Sequence, residues 1–122
     1  MIFSTQEFSA VINLSKAMIS ADGKVEQIEV AVIFNELKRF NIGTMTDAIL
    51  QKADKLEFSE TIAIVSRMNQ ENKRYVAALL GTIMAVDMNI SDSEMALWRL
   101  ISTLCALPTM TVKDAVSIMA SL

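Results

Sequence analysis

Two acidic segments, residues 22–29 and 87–94, carry the side chains best suited to bind a ligand. Each segment begins with an aspartate and ends, seven residues later, with a glutamate. Carboxylate oxygens are the ligands that Ca²⁺ and Mg²⁺ prefer, so the two segments would form an all-oxygen cation site if the fold brings them together. The candidate metal ligands are Asp22, Glu26, Glu29, Asp87, Asp92 and Glu94.

The first segment also matches the second half of an EF-hand calcium loop, where Asp-Gly is followed by a hydrophobic residue and then a glutamate. A complete loop needs oxygen ligands at its first and third positions as well, and these fall on Met18 and Ser20. In the second segment they fall on Ile83 and Ala85. Because methionine and isoleucine side chains carry no oxygen, an EF-hand is excluded and a cation would need another geometry.

The same residues have a structural interpretation as helix ends. Gly23 permits the left-handed backbone that commonly ends a helix. Glu94 is the third residue of its predicted helix, where the carboxylate can accept a hydrogen bond from the N–H of the capping residue, and Glu29 stands at the matching position. In this interpretation Val25 and Ile90 fill gaps between helices. The carboxylates would then be turned toward their own helices and not toward an ion.

The composition excludes several classes of function. The chain has no histidine, which removes Ser-His and Cys-His nucleophile pairs and most transition-metal sites. Its one cysteine, Cys105, excludes an internal disulfide and a cysteine zinc cluster, and is expected to be a small buried hydrophobic residue. A net charge of −3 without a basic stripe argues against nucleic-acid binding.

Length and hydropathy indicate a single domain over residues 1–122. Hydrophobic residues make up 52% of the chain, enough to form a core, in which Tyr75 and Trp98 are expected as anchors. The uncharged stretch at residues 75–86 is shorter than the roughly 20 residues that a membrane span needs. We therefore expect no membrane span, and the N-terminus has no signal-peptide pattern, which favours a cytoplasmic protein.

Apolar residues at helical spacing, with only three glycines and one proline, predict an all-α bundle of about seven helices. Ser4 and Glu7 form a capping box, Phe3 and Phe8 form a hydrophobic staple, and Asn69 reads as a further cap. Two more capping boxes are Ser91 with Glu94 and Thr111 with Asp114. The predicted helices cover about residues 5–21, 26–40, 45–53, 58–68, 70–86, 91–106 and 112–121, and the second is expected to stop at Asn41, Ile42 and Gly43.

The chain resembles itself when it is shifted by 65 residues. Asp22 then lies over Asp87, Glu29 over Glu94, and residues 44–46 over residues 109–111, all of them identical. The match of the turns and caps, more than that of apolar residues, indicates a tandem duplication. We expect a pseudo-twofold bundle with halves at about residues 5–68 and 69–122.

Residues 19–25 and 84–94 resemble the repeated unit A-D-G-x-hydrophobic-x-x-x-E of the tellurite-resistance TerB-like family, and this resemblance covers nearly the whole chain. It implies a single pseudo-symmetric TerB-like helical domain, a bacterial source and a link to stress response. It also implies divalent-metal binding by acidic residues around the two loops. The sequence departs from the pattern at Met88, which replaces a glycine, and at Lys24, which places a positive charge beside the first carboxylate.

Three hypotheses of function follow. The first is a non-enzymatic interaction or assembly module, because a small hydrophobic chain often has apolar surface left for an interface with a protein partner or with a second copy in a homodimer. The second is a domain that binds or senses a divalent cation, Ca²⁺ or Mg²⁺, through the two acidic loops. The third, ranked last, is a carboxylate-based enzyme, which needs a pocket with two close titratable groups.

Overall fold

The computed structural model describes residues 1–40 and 46–122. Within them the chain forms seven α-helices, which confirms the predicted all-α fold. The helices are α1 (Thr5–Ile19), α2 (Gln27–Arg39), α3 (Thr46–Lys55), α4 (Phe58–Ser66), α5 (Gln70–Ala85), α6 (Asp92–Cys105) and α7 (Val112–Ala120). The predicted end of the second helix at Asn41, Ile42 and Gly43, and the predicted start of the third at residue 45, lie outside the described residues.

The caps explain why the helices begin where they do. Ser4, Ser91 and Thr111 each accept a hydrogen bond from the backbone three residues later, and the acidic residue there bonds back to the cap, which confirms all three capping boxes. Phe3 and Phe8 meet edge to face with ring centroids 5.9 Å apart, as the staple predicts. Six helix ends fall one or two residues earlier than predicted, because the last turn is closed by tighter bonds that link residues three apart, whereas α3 ends at Lys55, two residues later than predicted.

Helices α1 and α5 form the centre of the bundle. They pack against each other, with α3 and α4 also against α1, and with α6 and α7 against α5. Eleven of the residues of α5 are buried, so this helix is enclosed on most sides. The described residues include no helix that is long and apolar enough to cross a membrane.

The two sides of this centre are filled by different combinations of side chains. Trp98 of α6 lies against Gly81, where an added Cβ would stand 2.9 Å from the indole and 2.6 Å from Ala115 Cβ. The indole N–H donates to the carbonyl of Ala77 at 3.1 Å. A shift of 65 residues places Ile33 at the position of Trp98 and Lys16 at that of Gly81. Because Lys16 is exposed, the contact between Trp98 and Gly81 is not repeated at these positions.

Helix α2 meets the bundle through an unusual set of side chains. Only four of its side chains are buried, Glu29, Ile33, Glu36 and Leu37, and two of these are carboxylates. Glu36 accepts a hydrogen bond from the Tyr75 hydroxyl at 2.6 Å and is paired with Arg39. This contact fixes the C-terminal half of α2 on α5, while Glu29 lies at its other end.

Candidate functional site

The loops that follow α1 and α5 are held by the same hydrogen bonds. One carboxylate oxygen of Asp22 accepts the N–H of Lys24 at 2.9 Å, and one of Asp87 accepts the N–H of Asn89 at 3.0 Å. Each loop therefore closes an Asx turn on its own aspartate. Both aspartates retain one oxygen that this turn does not use.

The residue after each aspartate has a left-handed backbone. Gly23 has φ 79° and Met88 has φ 62°. The N–H of each closes the preceding helix by donating to a carbonyl three residues back, on Ser20 and Ala85, at 3.0 Å in both cases. Glycine adopts this conformation without strain, whereas methionine does so at a cost of about 1–2 kcal/mol.

The glutamates that end the two acidic segments are almost completely buried, with Glu29 at 2% and Glu94 at 1% exposure. Glu29 Oε1 accepts the N–H of Glu26 at 3.2 Å, and Glu94 Oε1 accepts the N–H of Ser91 at 3.0 Å. Each glutamate thus turns one oxygen back to the start of its own helix, as the structural interpretation predicts. Burial with this single bond makes the carboxylate of Glu29 costly to ionise.

The two loops lie at the same end of the bundle, because α1 and α5 begin side by side, where the Asn72 amide donates to the carbonyl of Ile2 at 2.9 Å, and are nearly equal in length. The pKa of Glu29 is raised to about 7, first by burial and then by the negative charges of Asp87, Glu94 and Asp22, against the opposing hydrogen bond from the Glu26 N–H. The charges that raise this pKa are all negative. We call these four residues, Asp22, Glu29, Asp87 and Glu94, the carboxylate cluster.

The second oxygen of Glu94 gives the cluster an unsatisfied group. Among the described residues, three buried side-chain oxygen atoms have no hydrogen-bond partner, on Thr61, Asn72 and Glu94, and Glu94 Oε2 is the one that belongs to an ionisable group. An unpaired buried carboxylate oxygen is far more costly than an unpaired hydroxyl or amide oxygen. Glu94 Oε2 is therefore an oxygen whose burial the described residues leave uncompensated.

The structure brings four of the six predicted ligands together. Glu26 and Asp92 are exposed, and the negative charges of their side chains are not among those that raise the pKa of Glu29. In the arrangement seen, no group of three or more Asp, Glu or Cys side chains in the described part of the chain is already spaced to hold a metal ion. Closure around an ion thus requires side-chain rotation, for which the exposed side chain of Asp22 has room. Met18 and Ile83 are fully buried in the core, in agreement with the exclusion of an EF-hand.

The predicted role of Val25 and Ile90 is wrong. Their side chains are 65% and 38% exposed, so they do not fill gaps between helices. The loops turn outward at these positions because the Asx turns close before the next helix begins. Ile28 and Met88, at 51% and 93% exposure, extend the same apolar surface.

Sequence reasoning missed Glu36 and its contacts with Tyr75 and Arg39. The only signal is its position seven residues after Glu29, which places the two carboxylates on one face of α2. Burial, and then the bond to Glu36, raises the pKa of Tyr75, so the hydroxyl stays protonated and donates. Burial likewise raises the pKa of Cys105 to about 11, and this buried thiol is inert, as predicted.

Surface clefts offer little support for a carboxylate-based enzyme. One cleft of about 570 Å³ lies beside Trp98 and another of about 350 Å³ lies beside Arg74, and of these two only the second is lined by a carboxylate, Asp114. A cleft of about 290 Å³ between α1, α2 and α3 is lined mainly by apolar side chains, including Val25 and Phe34. None of the three is lined by a member of the carboxylate cluster.

Comparison with known structures finds a relative over nearly the whole chain. The crystal structure of a protein of unknown function from Porphyromonas gingivalis is similar at a TM-score of 0.86 and 49% sequence identity, over 98% of this chain and 92% of that chain. No protein-family model and no curated protein matches the sequence. The resemblance to the TerB-like family stays a prediction.

Proposed function

This chain belongs to the same protein family as the Porphyromonas gingivalis protein of unknown function, and we propose from its own site that it is a divalent-cation-binding domain. The carboxylate cluster supplies the ligands. Ca²⁺ is the first candidate ion and Mg²⁺ the second, since both prefer oxygen ligands and Ca²⁺ tolerates irregular geometry.

The observation that carries the proposal is the unpartnered Glu94 Oε2 beside a second buried glutamate, Glu29. Helix capping explains one oxygen of each glutamate, but it does not explain why both glutamates are buried near the negative charges of two aspartates, with Lys24 the one positive residue of the two acidic segments. A structural cap works equally well on the surface, as Glu7 and Glu60 show by capping exposed helix starts. A bound cation would compensate the excess negative charge.

The cluster divides its oxygen atoms between two tasks. One oxygen on each of the four side chains holds a backbone N–H and thereby fixes the carboxylate in place. The remaining four oxygens are available as ligands, and water would complete the six to eight ligands that Ca²⁺ requires. Because Glu29 has a pKa of about 7, cation binding at neutral pH would also release part of a proton.

Calorimetric titration with Ca²⁺, Mg²⁺ and Mn²⁺, together with melting temperature, tests this function. We expect one ion per chain and a rise in melting temperature, with about 2.7 kcal/mol of stabilisation when the free ion is at 100 times its dissociation constant. Asp22→Asn combined with Asp87→Asn should abolish the rise. Glu26→Gln combined with Asp92→Asn is the matched control, since it removes the same charge outside the cluster and should preserve most of the binding.

Absence of binding heat and of any melting shift at millimolar concentrations of all three ions would contradict the proposal. Equal loss in the control pair would also contradict it, because binding would then depend on the general negative charge of the loops and not on the cluster.

An interaction or assembly module of the bacterial cytoplasm, linked to stress response, is the second candidate function. The exposed apolar residues of the two loops favour it, with Met88 at 93% and Val25 at 65% exposure. A homodimer is one form that such an interaction could take. Light scattering across a concentration series would detect self-association, and a monomer throughout would leave only a different protein as partner.

A further inference from the structure

Four apolar side chains stand at the outer ends of the two loops. Val25 lies between Asp22 and Glu29 in the sequence, and Met88 lies directly after Asp87. Helices α1 and α5 begin side by side, where the Asn72 amide donates to the carbonyl of Ile2 at 2.9 Å, and they are nearly equal in length, so the loops that follow them share one end of the bundle. We call the exposed side chains there the loop-tip surface, formed by Val25, Ile28, Met88 and Ile90.

Met88 is an unfavourable choice for the stability of the free chain. Its side chain is 93% exposed and its backbone is left-handed, a combination in which glycine, present at the matching position 23, is preferred. Val25, Ile28 and Ile90 also leave apolar area in water, which the neighbouring polar residues do not cover. Strain and exposed apolar area at one place indicate a surface used for binding.

The charges around the surface determine which partner fits. The two acidic segments together contain six carboxylates and a single lysine, Lys24. An anionic lipid surface or a nucleic acid would meet a charge of the same sign. A second copy placed tip to tip would bring two acidic surfaces together, in a chain whose net charge is already −3.

We propose that the loop-tip surface binds a basic amphipathic helix of a partner protein. The apolar face of that helix would cover the four side chains, and its lysines and arginines would meet the acidic residues around them. Val25 also lines the apolar cleft of about 290 Å³ between α1, α2 and α3, which gives an apolar anchor of the helix a place to enter.

The interaction does not depend on the proposed cation site, although the two are coupled. A cation bound at the carboxylate cluster would reduce the negative charge that attracts the helix, so saturating Ca²⁺ should weaken binding of the helix. If the cation proposal fails, the helix should still bind and Ca²⁺ should have no effect. The two failures are therefore distinguishable.

The probe is a synthetic lysine–leucine amphipathic peptide of about four helical turns, labelled and titrated with the full chain in a chelating buffer. Fluorescence anisotropy should show saturable binding that weakens as salt is raised. A glutamate–leucine peptide of the same length is the control for charge. Met88→Gly combined with Val25→Ser should raise the dissociation constant about tenfold, while circular dichroism shows that the chain remains folded.

Leu104→Ser is the matched control, because Leu104 is 47% exposed at the far end of α6 from the loops. It should change the dissociation constant by less than about twofold. Equal binding of the glutamate–leucine peptide, or an equal loss in Leu104→Ser, would overturn the proposal. The proposal would also be overturned if the chain bound no peptide and instead adsorbed to phosphatidylglycerol vesicles or self-associated through the same residues.

Discussion

Glu29 and Glu94 occupy matching positions in α2 and α6, and both are buried. Each has one carboxylate oxygen that takes no part in the hydrogen bond to the start of its helix. The negative charge of Glu94 helps to raise the pKa of Glu29, so Glu94 opposes the ionisation of Glu29. A protein gains no stability from such an arrangement unless a proton or a cation joins it. This relationship supports a binding role for the acidic loops.

The raised pKa of Glu29 predicts how stability depends on pH. The group has a pKa of about 7 in the folded chain against an ordinary value of 4.5. The folded state therefore holds the proton more tightly, and this contribution is complete below about pH 4.5 and is lost as the pH rises through 7. Glu29→Gln should thus be more stable than the natural chain by roughly 1–3 kcal/mol at pH 8 without divalent ions, and equal to it near pH 4.5. Urea unfolding at both pH values measures this, and a difference that does not vary with pH would contradict it.

Gly81 lies so close to Trp98 and Ala115 that a larger side chain at this position should overpack the core. An added methyl group would stand 2.6 Å from Ala115 Cβ and 2.9 Å from the Trp98 ring, so Gly81→Ala should lower the free energy of unfolding by about 1–3 kcal/mol. Adding Ala115→Gly should restore part of this loss. The measurement is urea unfolding of the two variants, and a stability equal to that of the natural chain in Gly81→Ala would show that the helices separate easily.

The hydrogen bond between Tyr75 and Glu36 should stabilise the contact between α2 and α5. Tyr75→Phe removes the donor at 2.6 Å and leaves a buried carboxylate with Arg39 as its remaining partner, for an expected loss of about 1.5–3 kcal/mol. A double-mutant cycle with Glu36→Gln measures the pair directly. Additive effects of the two substitutions would mean that the hydroxyl and the carboxylate do not interact.

Much of the fold follows from local signals in the sequence. The capping boxes at Ser4, Ser91 and Thr111 and the seven helices are confirmed, because capping involves residues only three apart. The matching Asx turns at Asp22 and Asp87 agree with the predicted repeat, although the duplication itself stays a prediction. The single domain, with halves at about residues 5–68 and 69–122, is likewise a prediction.

The site could be predicted only in part. The sequence places the aspartates and glutamates in two similar loops, but it does not show that Glu29 and Glu94 are buried or that Glu94 Oε2 lacks a partner. Those properties depend on how α2 and α6 meet α1 and α5, which is set by contacts far apart in the chain. The exposure of Val25 and Ile90 was mispredicted for the same reason, since hydrophobic character alone does not determine the direction of a loop side chain.

The left-handed positions after Asp22 and Asp87 predict opposite changes in stability when glycine is introduced at Met88 and removed at Gly23. Met88→Gly should raise the free energy of unfolding by about 0.5–1 kcal/mol, because glycine adopts φ 62° without strain. Gly23→Ala should lower it by about 1 kcal/mol, through backbone strain alone, since nothing lies within 4 Å of an added Cβ. Thermal unfolding of both variants is the measurement, and a loss of stability in Met88→Gly would show that the methionine side chain makes a stabilising contact.

A crystal structure grown with Mn²⁺ in place of Ca²⁺ tests the cation proposal most directly, because the anomalous signal identifies the ion. We expect one Mn²⁺ between the two loops at about 2.0–2.6 Å from its ligands. The ligands should be the oxygens of the carboxylate cluster that do not bond to backbone N–H groups, including Glu94 Oε2. A cluster without an anomalous peak at saturating Mn²⁺, with all four carboxylates still bound only to their own backbone N–H groups, would contradict it. The motif would then serve only to end and begin helices.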